Sequence, residues 1–305
     1  MRNKFSDAFL AASIQNDKLC LIVADISPVG SLAKFRERSP DRFINVGVAE
    51  QIMVGISAGL AMRGFQPFVY TIATFSLYRP FEFVRDDLCY QNLPVTIVGI
   101  GGGVAYSTLG ATHHAQEDVA VAMTLPNMSV LAPSDPLEVE AMTNWCASQR
   151  RGPVYLRMGK AGEPILTEGA DPWEFGKLRT LRTGSQHCVL TYGVITNLAL
   201  EVADQLEERG VSTAVITVPT LKPLDREGLS SILSTFSVVT LIEESAPRAL
   251  GLELQAMAFR AGYKGKLAVF ALKDEFIHCY GSHADILAAH GLSVQKIIDR
   301  LFGQS

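Results

Sequence analysis

Two largely apolar runs, the continuous Leu19-Cys-Leu-Ile-Val-Ala24 and Leu93-Pro-Val-Thr-Ile-Val-Gly-Ile100 with the single polar Thr96, restrict the fold of this chain more than any other feature. A strand with one face in water alternates apolar and polar residues. A run without alternation, followed by a helical pattern, is a strand covered on both faces, as in a parallel sheet. Such strands recur with helices between them: Gln66–Tyr70, Met128–Leu131 and 152–158 in the first half, then 187–192, 213–218, 237–243 and 266–270 in the second. The fold class expected is α/β, with two domains, each a mainly parallel sheet with helices on both faces. The stretch 159–186 interrupts the alternation with Gly159, Gly162, Pro164, Gly169, Pro172, Gly176 and Gly184, and reads as a linker. The expected division is 1–160, a linker at 161–186, and 187–305.

Hydrophobic residues make up 48% of the 305 and charged residues 19%, with a net charge of -4 and no basic run. Nucleic acid is not an expected partner. Cys20, Cys89, Cys146, Cys188 and Cys279 stand far apart without a CxxC pair, which speaks against a disulfide framework and fits a reducing cytoplasm. The N-terminal residues lack the apolar core of a signal peptide, and no run reaches membrane-spanning length.

One segment joins a short strand to a helix: Phe43-Ile-Asn-Val-Gly-Val-Ala-Glu-Gln51, then Ile52, Met53, Ile56, Leu60 and Ala61 at helical spacing. Glu50 falls in the first helical turn, where a carboxylate interacts well with the helix dipole, and that is its plainer explanation. Asp25 follows an apolar strand directly, as polar residues facing a site often do in open parallel sheets. Thr74–Gln91 reads as a helix with Phe75, Tyr78 and Arg79 near its start, where packing alone would account for the aromatics. Gly99-Ile-Gly-Gly-Gly-Val104 is a poor dinucleotide fingerprint, because Val104 stands where the third glycine belongs. His113 and His114 are adjacent and so cannot both face one ion from a regular element; a polar site histidine closing a glycine loop fits His113 better than a metal ligand. Arg157 ends a strand and admits two readings, an anion holder or half of a structural ion pair.

Asp25, Gly47-Val-Ala-Glu-Gln51, Thr74-Phe75, Gly110-Ala-Thr-His113 and Leu131-Ala-Pro-Ser-Asp135, in this order, resemble the C-terminal half of transketolases and deoxyxylulose-phosphate synthases; Asp274-Glu-Phe-Ile277 followed by Gly281 adds to the resemblance. It covers nearly the whole chain, as a pyrimidine-binding domain followed by a transketolase C-terminal-type domain. It implies thiamine diphosphate as cofactor, serving as electron sink for a two-carbon ketol unit moved from a ketose to an aldehyde. By resemblance, Glu50 bonds N1′ of the aminopyrimidine from an apolar pocket, Phe75 stacks on that ring, and Tyr78 is a second aromatic of the pocket. Asp25 lies near the thiazolium, His113 contacts substrate oxygens, and Arg157 holds a sugar phosphate. The family's loop reads Asp-Gly-Pro-Thr-His-Gln; here Leu109, Ala111 and His114 replace its Asp, Pro and Gln. The missing Asp contacts a sugar hydroxyl, so Leu109 at that substrate-binding position implies non-standard sugar substrates. A phosphate-site histidine and serine align near Gly101 and Val29.

The family's Gly-Asp-Gly metal motif does not occur in the sequence. The expectation is a split enzyme: an N-terminal subunit carries the diphosphate-binding domain and most of the Mg2+ coordination, in an α2β2 assembly. The rival readings are the β subunit of a 2-oxoacid dehydrogenase and a non-catalytic binding or regulatory subunit of the same fold.

Overall fold

The structure, a computed structural model, describes residues 1–26, 30–148, 152–246 and 249–303. Val29 and the start of the loop before Gly30 lie outside the described residues.

Strands β1 (Leu19–Val23), β2 (Phe43–Asn45), β3 (Gln66–Ile72), β4 (Thr96–Ile100), β5 (Ser129–Leu131) and β6 (Val154–Met158) build the first sheet, and β7 (Arg179–Arg182), β8 (His187–Thr191) and β9 (Thr213–Thr217) begin the second. They are followed by β10 (Thr220–Lys222), β11 (Val238–Ile242) and β12 (Lys266–Phe270). The sheet orders are β10-β5-β6-β4-β3-β1-β2 and β12-β11-β8-β9-β7. The pairings among β1 to β6, and those among β8, β9, β11 and β12, are parallel, as the apolar runs require. β1, β4, β6 and β8 are buried at every position.

Two strands depart from the expected division. β7 lies inside the stretch read as a linker and pairs antiparallel with β9. β10 leaves the second half and pairs antiparallel with β5, so it closes the edge of the first sheet. The ammonium of Lys222 fixes this crossing by donating to the carbonyls of Met123 (2.8 Å) and Leu125. Ile97 and Tyr155 of the first sheet belong to the same apolar cluster as Leu190 and Leu241 of the second, so the two domains share a core.

The helix expected over Thr74–Gln91 is broken. It runs as Ala73–Leu77, then Phe81–Phe83, then a π-helical segment Val84–Tyr90. Pro80 lacks an N–H and cannot continue the first turn, and so restarts the helix. The result is a short helix at the C-terminal end of β3 that carries Phe75, followed by a turn that carries Tyr78 and Arg79.

Candidate functional site

The site is assembled at the C-terminal ends of the first sheet's parallel strands, where α/β folds place their ligands. Asn45 ends β2, and its side-chain oxygen accepts from the N–H of Gly47 (3.0 Å) and of Asp25 (3.2 Å). One amide thus fixes the turns after β1 and β2. Gly47 has φ +69, and after it the helix Glu50–Met62 begins with Glu50. The apolar face of that helix packs through Met53, Val54, Ala58 and Ala61, and this draws its first residue inward until Glu50 is only 3% exposed.

Arg79 meets Glu50 there. Its Nη1 stands 2.9 Å from Oε1 of the carboxylate, and its guanidinium lies 4.1 Å from the centroid of the Phe75 ring. Phe75 in turn meets His113 edge-on, with centroids 5.2 Å apart, and the ring of Tyr106 lies 6.3 Å beyond. His113 sits on a 3-10 turn, Ala111–His113, entered through Gly110 at φ +77. Glu50, Phe75 and His113, expected together on the resemblance, are therefore one contiguous row. Arg79 joins two of them, a role that neither its residue type nor the resemblance points to; its place one turn after Phe75 is the signal that could find it.

The other expected residues fall differently. Tyr78 turns its hydroxyl to Glu117, donating to Oε2 at 3.0 Å and accepting from the Glu117 N–H at 3.1 Å; burial, with Asp118 and Glu117 adding to it, pushes the phenol pKa up. Asp25 is exposed at φ +49 and connects to the Glu50 turn through Asn45. Leu109 is 48% exposed, beside Gly110 at the entry to the His113 turn.

Arg157 needs correction. It is 3% exposed, its Nε is 2.9 Å from Oδ2 of the wholly buried Asp118, and its Nη2 donates to the Glu244 carbonyl at 2.7 Å. Of its two readings the structural ion pair is the one realised, because a guanidinium this deep needs a carboxylate close by. A second cation, Lys160, is exposed two residues past the end of β6 and lies 5.1 Å over the Tyr106 ring.

The second domain braces the histidine loop. Glu244, fully buried, accepts from the Val104 N–H at 2.8 Å and from His283 Nε2 at 2.7 Å. Gly103 bonds in both directions with Ala115, two residues after His113. A side chain at Gly103 would strike the Glu244 carboxylate, so glycine there is a matter of space as well as of its φ of +64.

The geometry suits a flat, hydrogen-bonding heteroaromatic ring. Glu50 supplies a buried carboxylate that Arg79 holds through Oε1, Phe75 a half-buried ring, and Thr74 a buried hydroxyl lacking a partner among the described residues. A buried polar atom without a protein partner is one that a ligand's polar group can satisfy. Among the described residues no group of three His, Cys, Asp or Glu side chains could hold a metal ion.

Fold and site together define a pyrimidine-binding type of α/β domain joined to a second, smaller one. Residues 1–162 match the transketolase pyrimidine-binding domain, and residues 176–297 the transketolase C-terminal domain. An apulose-4-phosphate transketolase subunit of Phocaeicola vulgatus is 32% identical over 298 residues, covering 97% of this chain and 94% of that one. A putative transketolase C-terminal section of Methanocaldococcus jannaschii is 30% identical over 303 residues, covering 99% and 95%. A 1-deoxy-D-xylulose-5-phosphate synthase of Bacillus mycoides is 32% identical over 292 residues, but only 46% of that longer chain is matched. Among solved structures, a split-gene transketolase described as an inactive beta4 tetramer superposes with a TM-score of 0.85 at 30% identity, covering 97% and 95% of the two chains. Transketolase from Campylobacter jejuni shares the fold, with a TM-score of 0.73 at 18% identity over 46% of its length.

The chain belongs to the transketolase family, whose members depend on thiamine diphosphate, and its extent corresponds to the β, or C-terminal, subunit of the split form. No helix among the described residues is long and apolar enough to cross a membrane.

Proposed function

We propose that this chain supplies the pyrimidine half of a thiamine diphosphate site and, with a second subunit carrying the diphosphate-binding half and its Mg2+, transfers a two-carbon ketol unit between sugar-like substrates. The observation that carries the reading is the row Glu50, Arg79, Phe75 and His113, where a buried carboxylate, a ring face and an imidazole follow one another within contact distance. The cofactor, when bound, supplies the electron sink for the two-carbon carbanion. Glu50 presents its carboxylate at the inner edge of the pocket, where its burial keeps bulk water from competing for a ligand's N–H. Phe75 offers a face on which a planar ring is oriented. His113, whose Nδ1 is 3.0 Å from the Thr112 hydroxyl, presents its imidazole to substrate oxygens. Lys160 is placed to meet a negative charge further out, and Leu109 puts an apolar side chain at the entry to the His113 turn.

The substrates that fit best are non-standard for the family, because Leu109 cannot bond the hydroxyl that a carboxylate would. The assembly proposed is α2β2, in the cytoplasm. Calorimetry tests the reading: thiamine diphosphate with Mg2+ is titrated into the chain alone, then into its mixture with the product of the neighbouring gene. Binding in the mixture, abolished by Glu50→Gln, supports the split site. Tight Mg2+-dependent binding by the chain alone, indifferent to Glu50→Gln, would overturn it.

A further inference from the structure

The second domain has a concavity of its own, about 510 Å3, where the end of β12 meets helix Val294–Phe302. That volume is in the range of small-molecule sites. Lys273, Lys296 and Arg300 line it, and no aspartate or glutamate does. Lys296 and Arg300 are four residues apart on one helix, and like charges at that spacing destabilise it. The nearby acid on the helix does not relieve them, since Asp299 accepts instead from Gln295 at 2.6 Å. Lys296 donates to the Ala288 carbonyl at 2.9 Å, and Arg300 lies 5.3 Å over the Phe270 ring; neither pairs with a carboxylate among the described residues. Lys273 is 3.2 Å from Glu275, but both are about half exposed, so the pair is weak and readily exchanged. Arg300 could be explained by the dipole at its helix's C-terminus. Lys296 is likewise met by the last turn of a second helix, His283–Ala289, through the Ala288 carbonyl, and Lys273 only by the exposed Glu275, so none of the three cations is neutralised by a buried carboxylate.

Around this charge the wall is mixed: the Phe270 ring, the Gln255 amide and His290. His290 Nδ1 accepts from the Lys273 N–H at 3.0 Å, and this fixes the Lys273 backbone at the rim. A single phosphate would fill little of the space, whereas a diphosphate bearing a ring could use the cations and the Phe270 side together.

We propose that this cavity binds a nucleoside diphosphate or a closely similar diphosphate, at a site separate from the Glu50 row. The repulsion between Lys296 and Arg300 is relieved on binding, so the ligand stabilises the domain.

Thermal unfolding and calorimetry of the whole chain, with ADP, pyrophosphate and inorganic phosphate at fixed ionic strength, test this. ADP and pyrophosphate are expected to raise the melting temperature saturably, and phosphate more weakly. Lys296→Gln with Arg300→Gln is expected to weaken binding at least tenfold while leaving the unliganded melting temperature unchanged or raised. Glu50→Gln is expected to titrate like the unmodified chain, which keeps this site distinguishable from the proposed cofactor site. Equal affinity in the double variant, no saturable shift at millimolar ligand, or binding confined to an acidic peptide such as oligoglutamate would each overturn the proposal.

Discussion

Arg79 reaches Glu50 from the solvent side: Nη1 is 2.9 Å from a carboxylate that is almost wholly buried, while the Arg79 side chain is 44% exposed. The two ends of this pair are therefore unequal. Replacing Glu50 by Gln removes a charge and leaves Arg79 to water, which should cost about 1 kcal/mol or less. Replacing Arg79 by Met leaves a buried carboxylate unpaired, with a cost of about 1–3 kcal/mol. Urea unfolding of the two variants should rank Arg79→Met as the less stable. The opposite ranking would mean that the carboxylate is satisfied without Arg79.

The catalytic consequence runs the other way. In the reconstituted pair Glu50→Gln should lower transfer by roughly 10²–10⁴-fold, the usual range for a positioned acid–base group. A loss below tenfold in turnover would remove Glu50 from the chemistry.

These effects show how far the sequence could be read. The buried parallel strands and Glu50 were legible because apolar runs and helical spacing are local patterns. β7 and β10 were not, since each is a short antiparallel strand whose partner is distant in the chain, and neither is uniformly apolar. Arg157 and Lys160 show the same limit at the site. Arg157 lies within β6 and Lys160 two residues past its end, and only the burial of Asp118 against Arg157 decides which cation faces inward. Asn45, which holds two turns, left no signal beyond being polar at a strand's end.

Gly103→Ala should disrupt the brace between the domains. An added Cβ would stand 2.4 Å from Glu244 Oε1 at a φ of +64. Overpacking together with a strained backbone should cost about 2–4 kcal/mol. Amide hydrogen exchange should speed up over 101–115, and unchanged protection there would separate Glu244 from the histidine loop.

The second domain should lose stability in acid through His187. Burial lowers this imidazole's pKa to about 4, while Nε2 lies 2.8 Å from the Thr240 hydroxyl. A group with a depressed folded pKa takes up its proton first in the unfolded chain. Its contribution is complete above the unfolded value of 6.5 and declines as pH falls toward 4. Melting temperature should fall across that window, and His187→Gln should flatten the fall. A slope identical in the variant would assign the acid sensitivity elsewhere.

Glu243 should act in the opposite direction. Burial raises its pKa to about 7, against hydrogen bonds from the Tyr192 hydroxyl and the Gly251 N–H. The folded chain keeps this carboxyl protonated after the unfolded chain has released its proton. Its contribution is therefore complete below the unfolded value of 4.5 and is lost as pH rises through 7. Glu243→Gln keeps the group neutral and similar in size, so the variant should gain stability relative to the parent between pH 5 and 8. The test is the difference in melting temperature at the two ends of that range: a growing advantage for the variant fits burial as the cause, and a constant difference would mean that the carboxyl is already ionised at pH 5 in the folded protein.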